Sequence, residues 1–77
     1  MSDLEQTIAR LRTAGYFVNG FNETDSRGAA YLLGLEPTTL ANRRAAGRPL
    51  PPARRFGRTY WFDVGAMLAW RRSRETR

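Results

Sequence analysis

Leu4, Ile8 and Leu11 recur at spacings of four and three, the period of an amphipathic helix. Ser2 and Glu5 frame a capping box ahead of that stripe, and Gly15 is placed to stop it. The pattern predicts a helix over 3–14. Tyr16, Phe17, Val18 and Phe21 form a short apolar patch broken by Asn19 and Gly20. It reads as a turn or a brief extended piece covering the core. Thr24 or Asp25 then caps a second helix over 26–33, whose buried side is Ala29, Ala30, Leu32 and Leu33. Gly34 ends it, Leu35 follows as an apolar plug, and Pro37 opens a third helix over 37–46. Gly47 closes that helix.

The polar–apolar pattern changes after Gly47. Pro49, Pro51 and Pro52 allow neither helix nor central strand, so this stretch is a stiff connector rather than a proline-rich ligand motif. Residues 53–62 place aromatic and β-branched side chains on both sides of Gly57-Arg58, which suits a hairpin with a type II′ turn. Asp63 caps a last helix over 64–73, with Val64, Met67 and Leu68 as its stripe. Tyr60, Trp61, Phe62 and Trp70 are expected in the core, since so short a chain needs its aromatics for burial.

Charge adds what the hydrophobic pattern lacks. The chain of 77 residues carries a net +6, and all of its basic residues are arginine. Residues 1–42 hold three arginines against five acids, a net −2; residues 43–77 hold ten against two, a net +8. A basic half on a small domain points to a polyanion, and the arginine fork grips phosphates and guanine edges. A membrane surface would call for one continuous basic amphipathic helix, which is not what the pattern predicts. The absence of Cys and His removes thiolate chemistry, cysteine zinc sites and the usual acid–base catalyst. The acids are scattered, and neither an enzyme nor a cofactor is expected. No apolar run approaches the ~20 residues of a membrane span, and the first residues lack the pattern of a signal peptide, so a cytoplasmic location is expected.

The element order is that of an α+β winged helix-turn-helix, and the residues themselves carry a resemblance. Gly28-Ala-Ala-Tyr-Leu-Leu-Gly-Leu-Glu-Pro-Thr-Thr-Leu40 is similar to the alanine-pair, Leu-Gly, Thr-Leu signature of excisionase and AlpA-type DNA-binding domains in the MerR-like superfamily. Residues 39–44, Gly47, Pro51-Pro52, residues 56–58, Asp63 and Trp70 extend it, so that it covers about residues 24–72. Gly28 stands where the family usually has an acid and is expected to loosen its helix, at up to about 1 kcal/mol. Arg43 stands where the family often has a large apolar residue. The resemblance implies a phage or mobile-element protein that binds duplex DNA, as an excisionase or a transcriptional regulator. Related modules form terminase small subunits in DNA packaging, which is the alternative role. A protein-only adaptor using its basic face is a further alternative.

In such a module the third helix enters the major groove. Leu40 faces inward, which leaves Thr38, Asn42 and Ala45 on the outer face. Asn42 is read as an adenine contact or as a solvated helix residue, and Thr39 as a local cap or a base contact. Arg43, Arg44 and Arg48 are expected on phosphates, or paired with the helix dipole. Strand alternation sends Arg54 and Arg55 to opposite faces, so one of the two meets DNA, and Arg58 at the hairpin tip reaches the flanking minor groove. Arg71, Arg72, Arg74 and Arg77 crowd the end of the last helix. Residues 1–21 stand apart from a DNA-binding domain over 22–77, as a segment for core packing or for assembly of protomers on adjacent sites. An integrase is a second candidate partner.

Overall fold

Seven elements follow one another: α1 (Asp3–Thr13), β1 (Glu23–Thr24), α2 (Ser26–Leu33), α3 (Pro37–Ala45), β2 (Arg54–Phe56), β3 (Thr59–Asp63) and α4 (Val64–Glu75). They are seen in a computed structural model that describes residues 2–75. The described residues form a small α+β fold of four helices and a three-stranded antiparallel sheet.

The helix boundaries follow local chemistry. Ser2 Oγ accepts the Glu5 N–H at 3.1 Å. Asp25, not Thr24, caps α2, accepting from the N–H groups of Arg27 and Gly28. Asp63 Oδ1 accepts from Ala66 at the start of α4. At the other ends Gly15, Gly34 and Gly47 all have positive φ, the conformation that turns a chain out of a helix. Gly57 has φ 64 while Arg58 is not in the left-handed region, the combination a type II′ hairpin turn requires.

The sheet has the order β1-β3-β2, with β3 between two antiparallel neighbours. Arg54 is opposite Trp61, Arg55 opposite Tyr60 and Phe56 opposite Thr59. On the other side Glu23 is opposite Asp63 and Thr24 opposite Phe62. The strand period of two sends Phe62 into the core with Tyr60 packed at its edge, and Trp61 to the opposite face.

β1 has no counterpart in the sequence pattern, because a two-residue strand shows no periodicity. Its polar residues are nonetheless buried: Thr24 is wholly enclosed and Glu23 nearly so. Thr24 Oγ1 donates to Phe17 O at 2.8 Å. Here Gly28 corrects an expectation. A Cβ at Gly28 would overlap Thr24 Oγ1, so glycine lets α2 lie against β1 instead of merely loosening the helix.

One core joins Ile8 and Leu11 of α1, Val18, Ala29, Ala30 and Leu32 of α2, Leu40 of α3, Phe62 of β3, and Val64 and Met67 of α4. Full burial of side chains such as Leu11, Leu40, Phe62 and Met67 stabilises by about 1.5–3 kcal/mol each. The stripe of α1 is thus covered by the chain's own residues, and α1 packs on α4. Trp61 and Trp70 are half-buried and stay outside this cluster. Trp61 instead meets Phe17 edge-on, 5.7 Å between ring centroids. Phe17 and Phe21, expected over the core, are mostly exposed; Val18 alone of that patch is buried, bridging to Thr24. Among the described residues, no helix is long and apolar enough to cross a membrane.

Candidate nucleic-acid interface

The α3 helix has a buried side and a polar side. Leu40 is fully buried, and Thr38, Asn42 and Ala45 are exposed on the opposite face. Thr39, Asn42, Arg43, Ala46 and Arg48 together line a shallow surface hollow of about 330 Å³. The first four lie at helical spacings of three, one and three. Arg48 joins them because Gly47, at φ 70, reverses the chain. There Gly47 N–H donates to Arg44 O at 3.1 Å and Arg48 N–H to Arg43 O at 3.0 Å, a Schellman closure.

Thr39 is not a cap. Glu36 occupies the N-cap position without a side-chain hydrogen bond, and Pro37 opens the helix. Proline has no N–H, so one of the donors a cap would satisfy is absent.

The arginines from Arg43 onward are used in different ways. Arg43 and Arg48 border the α3 hollow. Arg44 and Arg55 lie at the Tyr60 ring: the Arg44 guanidinium carbon is 3.6 Å from the centroid and that of Arg55 is 5.6 Å away. Arg44 is also 5.8 Å from the Phe62 centroid, and its Nη2 is buried without a hydrogen-bond partner. Guanidinium over an aromatic face is attractive, so Tyr60 ties α3 to the hairpin and fixes both cations. Arg55 Nε also donates to Gly57 O at 3.0 Å, bracing the turn that carries exposed Arg58.

Arg54 stands apart. Its Nε and Nη2 donate to the two carboxylate oxygens of Glu23 at 2.7 and 2.8 Å, a bidentate pair on the sheet face away from Tyr60. Asn19 Nδ2 donates to the same carboxylate at 3.0 Å. The Arg54 and Asn19 hydrogen bonds hold the Glu23 carboxyl at about 2, well below its ordinary value, and Glu23 in turn raises Arg54. The alternation expected of Arg54 and Arg55 is therefore seen, and the ion pair already occupies Arg54.

The C-terminal arginines are partly engaged within the protein. Arg71 Nη1 donates to Leu32 O at 3.0 Å, Arg72 lies 3.5 Å from Asp3, and Arg74 sits 4.9 Å from the Trp70 centroid. Arg77 lies outside the described residues.

Sequence reasoning missed Tyr60 as the platform for two arginines. The available signal was its position two residues before Phe62, on the inward parity of the strand. It also missed Glu23 as the partner of Arg54, and no local pattern links residues 31 positions apart. Among the described residues, no cluster of His, Cys, Asp or Glu is placed to hold a metal ion.

In comparisons with known proteins, no family model matches the chain, and neither a curated protein nor a solved structure does.

Proposed function

We propose that the protein is a sequence-specific binder of duplex DNA built as a winged helix-turn-helix. In this reading α2 and α3 are the helix-turn-helix, α3 is the recognition helix and the β2–β3 hairpin is the wing. The observation that carries it is the grouping on α3. An exposed amide, Asn42, and a Thr39 free of capping duty share one hollow with Arg43 and Arg48. An amide in that place can make paired hydrogen bonds to an adenine edge, while the flanking guanidinium groups take phosphates and fix the register. Thr38 is exposed at the same helix tip. The hairpin adds Arg55 beside Tyr60 and Arg58 at the turn, and Arg44 acts mainly by positioning α3 against β3.

The role that goes with this chemistry is that of a phage or mobile-element protein acting as an excisionase or transcriptional regulator. It rests on the sequence resemblance over residues 24–72.

Salt dependence tests the DNA-binding reading. Arg43, Arg48, Arg55 and Arg58 provide about four phosphate contacts, for which log K should fall with log salt at a slope near −3 to −4. Fluorescence anisotropy on a labelled duplex from 50 to 200 mM salt measures it. A slope near zero overturns the proposal, as does equal affinity for a neutral polymer. Selection of a preferred site from random duplexes tests sequence specificity; a flat selection profile overturns that part.

A further inference from the structure

We propose that the hollow between α3 and α4 docks an acidic segment of a partner protein through one large apolar side chain. The proposal does not rest on the DNA-binding reading. The floor is made by Leu33, Leu35, Leu50 and Trp70. The three leucines also pack against the buried core, which holds the floor in place. Arg43, Arg71 and Arg74 form the rim.

Volume and charge together select the occupant. The space is about 210 Å³, below the roughly 300–1,000 Å³ of sites that enclose a drug-sized molecule. It suits a single aromatic or large aliphatic side chain, the usual anchor of a protein interface. The basic rim favours carboxylates on either side of that anchor. Two rim cations are already held in position: Arg71 by its bond to Leu32 O, and Arg74 over the Trp70 ring. A preset rim loses less side-chain freedom on binding. A DNA backbone would satisfy the arginines but has no protruding apolar group to cover three leucines and an indole.

Arg43 borders both this hollow and the one containing Asn42. A carboxylate that engages Arg43 from the α4 side therefore removes it from the α3 face.

The test uses the full chain and a capped synthetic heptapeptide with one central phenylalanine among aspartates. Its twin carries alanine in place of the phenylalanine. Isothermal titration on the unsubstituted chain should give saturable binding of the phenylalanine peptide, with the alanine twin weaker by about ten-fold, as expected for loss of an anchor. In a Trp61→Phe background Trp70 is the remaining indole, and its emission should shift on binding. Arg74→Glu should weaken the phenylalanine peptide while the melting temperature holds. Equal binding of the two peptides would mean charge attraction alone and overturns the proposal. So does an Arg74→Glu protein that binds as before. A saturable Trp70 response to a DNA duplex, with none to either peptide, would assign the hollow to nucleic acid and overturn it too.

Discussion

The segment from Asn19 to Gly28 and the outer face of α3 are both polar, and they use polarity in opposite ways. In the first, side chains are committed to the protein itself. Asn19 Oδ1 accepts from the N–H groups of Phe21 and Glu23, Glu23 holds Arg54, Thr24 holds Phe17 O, and Asp25 caps α2. On α3, Thr38 and Asn42 stand exposed at the surface, and Arg43 and Arg48 gather around a hollow. Polar groups that are buried must find partners within the chain; groups left facing outward remain available to another molecule. The contrast separates residues that hold the fold from residues that can recognise something.

Gly28→Ala probes the first region and should have the largest effect. The new methyl group overlaps Thr24 Oγ1, and forced overpacking of this kind costs about 1–3 kcal/mol. Alanine is the better helix former by up to about 1 kcal/mol, so a melting temperature that rises would show that α2 can move away from β1. Pairing it with Thr24→Ala, which removes the overlapping atoms, should recover part of the loss in the same melting experiment.

Asn42→Ala probes the second region. It should leave the melting temperature nearly unchanged while reducing discrimination between a selected site and a scrambled duplex by about 1–3 kcal/mol. If both duplexes weaken equally, Asn42 does not read bases.

Arg54 and Arg58 bring the contrast into one hairpin. Arg58→Ala should lower affinity on all duplexes and reduce the magnitude of the salt slope by about 1. Arg54→Ala should leave the slope nearly unchanged, because Arg54 is already paired with Glu23. An equal loss of slope for both would place Arg54 at the DNA as well.

The smallest effect is one of pH. The Glu23 carboxyl is lowered to about 2 in the folded chain, chiefly by the Arg54 hydrogen bond and then by Asn19. The stabilisation it brings is complete above the ordinary carboxyl value and is lost as pH falls toward 2. Urea denaturation along that range should show the gap between the wild type and Glu23→Gln closing on acidification. A constant gap would mean that the carboxylate charge is not what joins β1 to β2.

Much of the architecture was legible from local patterns. Helix positions were readable because capping residues and stop glycines sit beside apolar stripes, as at Ser2, Asp25, Asp63 and Gly47. The predicted ends over 3–14, 37–46 and 64–73 differ by one or two residues from Asp3–Thr13, Pro37–Ala45 and Val64–Glu75, the ordinary fraying at a helix end. The outward face of α3 was readable because burial of Leu40 fixes the orientation of every other residue on one helix.

By itself the sequence determined the local and the summed quantities: element order, turn positions, the arginine-rich half and the exposed set on α3. Each depends on neighbours within a few residues or on simple counting. The tertiary structure alone decided what depends on distant partners. It set β1 beside β3, joined Glu23 to Arg54, placed Arg44 on Tyr60, and turned Gly28 from a weak helix residue into a contact point for Thr24. It also kept Trp61 and Trp70 out of the core. The physical reason is that a side chain's charge and hydrogen-bonding capacity are local properties, whereas their use depends on what the folded backbone brings within about 3–4 Å.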